Sequence, residues 1–92
     1  METLTERDAL KHRVEQLVSD IFPGSEIQWE DDSDIVRPGG TVVWDGFAGR
    51  SHVERQMELG AYLREKMGPE KRHLGMLFTL TPKELDFILQ EA

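Results

Sequence analysis

Three groups of side chains in this 92-residue sequence have the types and spacing to do chemistry. The first is the turn Gly46-Phe47-Ala48-Gly49, with Arg50 directly behind it and Arg55 five residues further on. Either glycine can take a positive φ without a Cβ penalty, so the backbone can turn sharply there. Free amides at the start of a helix, together with the positive end of its dipole, favour an anion. A phosphate held by those amides, Arg50 and Arg55 is the chemistry this pattern allows. A plain strand-to-helix connection uses the same glycines and needs no ligand. The second group is Asp31, Asp32 and Asp34. They invite a calcium reading but lack the central glycine and closing glutamate of an EF-hand loop, so a solvated acidic loop is the expectation. The third group is His12, His52 and His73, the last preceded by Lys71 and Arg72. By spacing alone, a lone histidine at a strand end is a structural or solvated residue.

Composition removes several classes of function. There is no cysteine, which excludes disulfides, thiolate metal sites and thiol catalysis by this chain and suits a reducing cytoplasm. Ser51, with Glu54 three residues on, reads as a helix cap rather than a nucleophile. No nucleophile elbow and no carboxylate–histidine pair at a diagnostic spacing is present, so no catalytic activity is expected. The opening residues lack a basic region followed by an apolar one, and no apolar run approaches the roughly 20 residues of a membrane span. A cytoplasmic protein with no membrane partner is expected.

The formal net charge is −7. Residues 1–46 hold 11 acids against 4 bases, and residues 47–92 hold 7 of each. Between Arg50 and His73 bases outnumber acids by 6 to 4. The field of the whole chain opposes a polyanion, while a mildly basic zone lies in the second half.

The elements that must position these groups follow from periodicity. Leu10, Val14, Leu17, Val18 and Ile21 make a helical stripe over Glu6 to Ile21, with Thr5 as N-cap and Pro23-Gly24 as the stop. A short strand is expected at Glu26–Glu30, with Ile27 and Trp29 on one face, and a second at Thr41–Trp44, paired antiparallel to it. A second helix should run from after Ser51 to Met67. Val53, Met57, Gly60, Ala61, Tyr62, Leu63 and Met67 form its expected buried side, and Arg50, Arg55, Arg64 and Lys66 its polar side. Leu74, Met76, Phe78 and Leu80 alternate over a strand expected at His73–Thr79, parallel to the second strand through a right-handed helical crossover. Thr81-Pro82-Lys83-Glu84 opens a third helix that Leu85, Ile88 and Leu89 should pack back. The expectation is one α+β domain over residues 1–92: α-β-β-α-β-α, a mixed three-stranded sheet with helices on one face.

Two stretches carry a family resemblance. Phe47-Ala48-Gly49-Arg50-Ser51 with Arg55 resembles the F-x-G-K-S-x-x-x-R signature of BolA-like proteins. His73-Leu74-Gly75-Met76-Leu77-Phe78-Thr79-Leu80-Thr81-Pro82 resembles that family's H-A-L-S-I-K-T-L-T-P run without a gap. The resemblance covers nearly the whole chain and implies a variant of the class II KH fold. It also implies two functions. One is partnership with a monothiol glutaredoxin, sharing or accepting a two-iron two-sulfur cluster. The other is DNA binding and transcriptional regulation, with influence on stress response.

Under the first, His73 is the cluster ligand, since a neutral imidazole can replace a thiolate on one iron. Lys71 and Arg72 would meet the negative cluster or the glutathione carboxylates, the cysteines would come from the partner, and no cluster would be held by this chain alone. Under the second, Gly46 and Gly49 form a KH-like loop against a nucleic-acid backbone, with Arg50, Arg55, Lys71 and Arg72 on the phosphates. The sequence departs from the family in two places. Residues 31–40 hold no histidine or cysteine as a second ligand, and Gln56-Met57 stands where the family often has His-Arg.

Overall fold

The computed structural model describes residues 6–30 and 37–91. The chain runs α1 (Glu6–Ile21), β1 (Glu26–Trp29), β2 (Gly40–Val43), a 3-10 turn (Asp45–Phe47), α2 (His52–Met67), a second 3-10 turn (Gly68–His73), β3 (Leu77–Leu80) and α3 (Pro82–Glu91). The aspartate-rich loop and the Thr5 cap lie outside the described residues.

The three strands form one sheet in the order β1-β2-β3. β1 pairs antiparallel with β2, setting Ile27 against Val42, and β2 pairs parallel with β3, setting Val42 against Thr79. The sheet is therefore mixed and the domain α+β, in the expected order. Because side chains alternate along a strand, Ile27, Trp29, Val42, Leu77 and Thr79 share one face. Val14 and Val18 of α1 and Leu59, Leu63 and Met67 of α2 join Val42, Leu77 and Leu74 in a single core. Burying a Leu or Val side chain stabilises by roughly 1.5–3 kcal/mol, so these residues drive assembly of the two helices on that face.

Two phases differ from the sequence expectation. On β3, Leu77 and Thr79 are buried while Met76 and Phe78 are exposed, the reverse of the alternation read from Leu74-Met76-Phe78-Leu80. Gln56 explains the choice. Its amide donates to Leu77 O at 2.9 Å and accepts from Thr79 Oγ1 at 2.8 Å. A threonine can then turn inward with its hydroxyl satisfied. On α2, Arg55, Leu59, Leu63 and Met67 line the buried side, whereas Val53 and Met57 are 67% and 69% exposed. The spacing 55-59-63-67 is a cleaner helical repeat than the one expected, but it begins on an arginine. Apolarity alone would not select it.

β3 is also shorter than expected at its start. The second 3-10 turn, begun at Gly68 and Pro69, runs through His73, so the strand starts at Leu77 and not at His73. The segment after it still meets the sheet: Gly75 N donates to Pro38 O at 2.8 Å and Gly40 N to Met76 O at 3.1 Å. Finally, α3 does not pack back through Ile88 and Leu89. Phe87, Ile88 and Leu89 are all half or more exposed. What holds α3 is its first turn.

Candidate functional site

The segment from Trp44 to Arg55 is anchored by aromatic packing. Phe47 is fully buried, with its ring centroid 4.8 Å from Phe22 and 5.2 Å from Trp44 in edge-on geometry. Trp44 is tied down by its indole N–H, which donates to Pro23 O at 2.8 Å. The Trp44 ring lies over Gly46, where any Cβ would collide with it. Gly46 is thus a close-approach position, and only Gly49 takes a positive φ, +81°. The amides of Phe47, Ala48 and Arg50 donate to Trp44 O, Asp45 O and Phe47 O within the turn itself. Ser51 Oγ accepts from Glu54 N at 3.1 Å, the expected N-cap.

Arg55 is 3% exposed. Its guanidinium donates to Arg50 O at 3.1 Å, to Phe47 O at 2.9 Å and to Glu84 Oε1 at 2.7 Å, and it stacks 5.4 Å from the Phe47 ring centroid. This corrects the expectation that Arg55 contacts phosphate: a buried charge must be paired, and here every direction of the fork is occupied inside the chain. Arg50 forms an ion pair with Glu58. The Gly46–Gly49 turn therefore presents few open amides, one compensated arginine and the exposed carboxylate of Asp45. That is a poor seat for a nucleic-acid backbone.

Glu84 links this turn to α3. Its Oε1 accepts from Thr81 N at 2.7 Å, and Thr81 Oγ1 accepts from Glu84 N at 3.1 Å, a complete reciprocal cap. The Arg55 hydrogen bond, then the Thr81 amide and the nearby charges of Arg55 and His52, hold the Glu84 carboxyl down to about 2 from its ordinary 4.5, against a smaller desolvation effect. His52 Nε2 lies 3.4 Å from Glu84 Oε2.

His73 occupies the other end of α2. It closes the second 3-10 turn rather than opening β3, and its side chain is exposed. Its Nε2 receives a long 3.5 Å contact from Arg72 Nε, and among the described residues the ring has no other hydrogen-bond partner. Lys71 and Arg72 fall in the same last turn. His52 opens α2 and sits beside Glu84, whereas His73 closes the turn that follows α2 and lines a cleft with residues of α1. Among the described residues no group of three His, Cys, Asp or Glu side chains converges on one point.

One feature had no signal in the linear sequence. An open cleft of about 1240 Å³ lies between α1 and the second 3-10 turn, and His12, Arg37, Arg72 and His73 all line it. His12 is exposed, as its place off the apolar stripe implied, yet it shares this cleft with His73. Arg37 was not singled out by any motif.

The geometry described matches known structures. No family model matches the chain, and no curated protein matches it. BolA1 from Arabidopsis thaliana aligns with a TM-score of 0.60 over 88% of this chain and 98% of its own, at 24% sequence identity. The fold is BolA-like. The BolA domain of SufE1 from Arabidopsis thaliana aligns with a TM-score of 0.61 at 20% identity, covering 89% of this chain and 99% of its own. A bol-like protein from Babesia bovis aligns at 0.54 and 14% identity, covering 97% of this chain and 99% of its own. The BolA-like fold accounts for the order of elements. No helix among the described residues is long and apolar enough to cross a membrane.

Proposed function

We propose that the chain is a non-enzymatic adaptor that docks a monothiol glutaredoxin and offers His73 to a two-iron two-sulfur cluster shared with it, in the service of iron and stress regulation. The observation that carries this reading is the state of His73. It is an exposed imidazole at the end of a turn, with one long contact to its neighbour and a cationic flank of Lys71 and Arg72. A ligand nitrogen must be reachable and uncommitted, and a cluster bearing thiolates is negative, so cations beside the ligand favour it. The residues present fit one ligand position. They do not fit a cluster held by this chain alone, since no second histidine or cysteine stands in residues 31–40. The cluster would bring one-electron chemistry, and this chain's part is to bind, orient and complete its coordination.

The exposed apolar side chains Val53 and Met57 on α2, and Phe87, Ile88 and Leu89 on α3, support an interaction protein. A cytoplasmic setting fits this role. The test is to mix the protein with a cluster-loaded monothiol glutaredoxin and follow visible absorption and complex size. A changed spectrum with a stable heterocomplex, both weakened by His73→Ala, is the expected result. An unchanged spectrum and no complex would remove the proposal.

A further inference from the structure

Among the described residues the order β1-β2-β3 leaves the outer side of β3 without a strand. An open edge is a template for pairing with another chain, and natural edges are blunted by charge, proline or cover. β1, at the opposite edge, carries Glu26 and is followed by Glu30, both exposed. β3 has no such residue. Leu74 to Thr81 are eight residues without a charge or a proline. Met76 and Phe78 stand more than half exposed on the face away from the core. That is the composition of a self-pairing segment.

The edge is nevertheless shut. Gly40 N donates to Met76 O and Trp44 N to Leu80 O. Main-chain groups alternate in direction along a strand, so those of Leu77 and Thr79 point away from β2. Both outward carbonyls are taken by α2: Gln56 Nε2 donates to Leu77 O at 2.9 Å, and Arg55 Nη1 reaches Thr79 O at 3.4 Å. Thr79 Oγ1 fixes the Gln56 amide by donating to its Oε1 at 2.8 Å. Leu77 and Thr79 are accordingly only 5% and 2% exposed, although they belong to an edge strand. Arg55 is bound at shorter range to Phe47 O, Arg50 O and Glu84, which leaves Gln56 as the main cover.

We infer that Gln56 is an edge guard, whose carboxamide occupies the place of a neighbouring strand and keeps β3 from pairing with the β3 of a second copy of this chain. A two-fold axis would set two such edges antiparallel, each strand meeting its own counterpart, which an uncharged strand can do with itself. An amide suits the task because it donates to a carbonyl and accepts from a hydroxyl, holding two points of the strand at once. This gives a role to Gln56, one of the two residues at which the sequence departs from the family signature. The inference does not rest on cluster sharing. Its consequence is that partners dock on the faces of this chain and do not add a strand to β3.

The test is sedimentation velocity of the full chain over a concentration series, with infrared spectroscopy reporting strand content. The parent should stay monomeric. Gln56→Leu, similar in size but with neither hydrogen bond, should raise the self-association constant at least tenfold above any the parent shows, with a gain in strand signal. Gln56→Lys should stay monomeric, because an ammonium still donates to Leu77 O and sets a charge at the edge. Ser51→Ala weakens the start of α2 without touching β3, so it should stay monomeric and controls for lost stability. Thr79→Val keeps the shape and removes the hydroxyl that fixes Gln56. It should fall between the parent and Gln56→Leu, and it carries the test should Gln56→Leu not fold. The inference is overturned if Gln56→Leu and Thr79→Val stay monomeric when folded, or if Gln56→Lys or Ser51→Ala associates as readily as they do. Association without a gain in strand overturns it equally.

Discussion

Arg55 shows how a single residue can look functional in sequence and be structural in space. In a list of bases it reads as a phosphate contact. In the fold it ties the Phe47 turn, the end of β3 and the first turn of α3 together through Phe47 O, Thr79 O and Glu84. Losing hydrogen bonds from a charged group costs about 1.5–3 kcal/mol, and the Glu84 carboxylate left behind is only half-buried. Arg55→Met should therefore lower stability by that order in urea denaturation, and Arg55→Lys should recover little, since an ammonium cannot fork to three acceptors. Glu84 gives the matching pH dependence. Its carboxyl titrates at about 2 in the folded chain against an ordinary 4.5. The folded state thus binds the proton more weakly than the unfolded state, so its contribution is complete above pH 4.5 and is lost as pH falls toward 2. With 34% of the side chain exposed, solvent screening reduces that contribution to about 1–2 kcal/mol. Glu84→Gln should be less stable than the parent at pH 7 and lose less stability between pH 5 and pH 2, as measured by urea midpoints.

At the scale of elements, the caps and turns were the most legible features. Ser51 and Thr81 cap α2 and α3 as their spacing to Glu54 and Glu84 implied, because a cap is a local device read over four residues. Ser51→Ala should cost about 1 kcal/mol by thermal or urea unfolding. Gly46→Ala should destabilise, whereas Gly60→Ala, inside α2, should stabilise by about 0.5–1 kcal/mol. A methyl at Gly46 strikes the Trp44 ring, whereas one at Gly60 meets open space. Comparing the two melting temperatures checks this. What was not legible was phase. Which face of β3 is covered depends on Gln56 reaching across from α2, a contact over 21 residues. Likewise the buried stripe of α2 starts on a charged residue that only its distant partner Glu84 makes acceptable. Met57 and Val53 are apolar and exposed, so hydrophobicity alone mistook the face.

At the scale of the whole molecule, the sequence conveyed element order, mixed sheet and family resemblance, and the BolA-like fold bears these out. It did not convey where charge gathers. Counting by halves made the first half acidic, yet Arg37 from that half lines one cleft with Arg72 and His73. The Gly46–Gly49 turn leads into α2, and the His73 turn follows it. The first has its cations compensated by Glu58 and Glu84. The second has an exposed Arg72, a half-buried Lys71 and an imidazole with a single long contact among the described residues. That division is why the proposal above puts partner chemistry at His73. The most direct measurement is a titration of cluster-loaded monothiol glutaredoxin with this protein, followed by visible circular dichroism. A new, saturating cluster signal at one equivalent is predicted, and His73→Ala should abolish it while His52→Ala and His12→Ala leave it in place. A signal that forms equally well with His73→Ala would contradict the account.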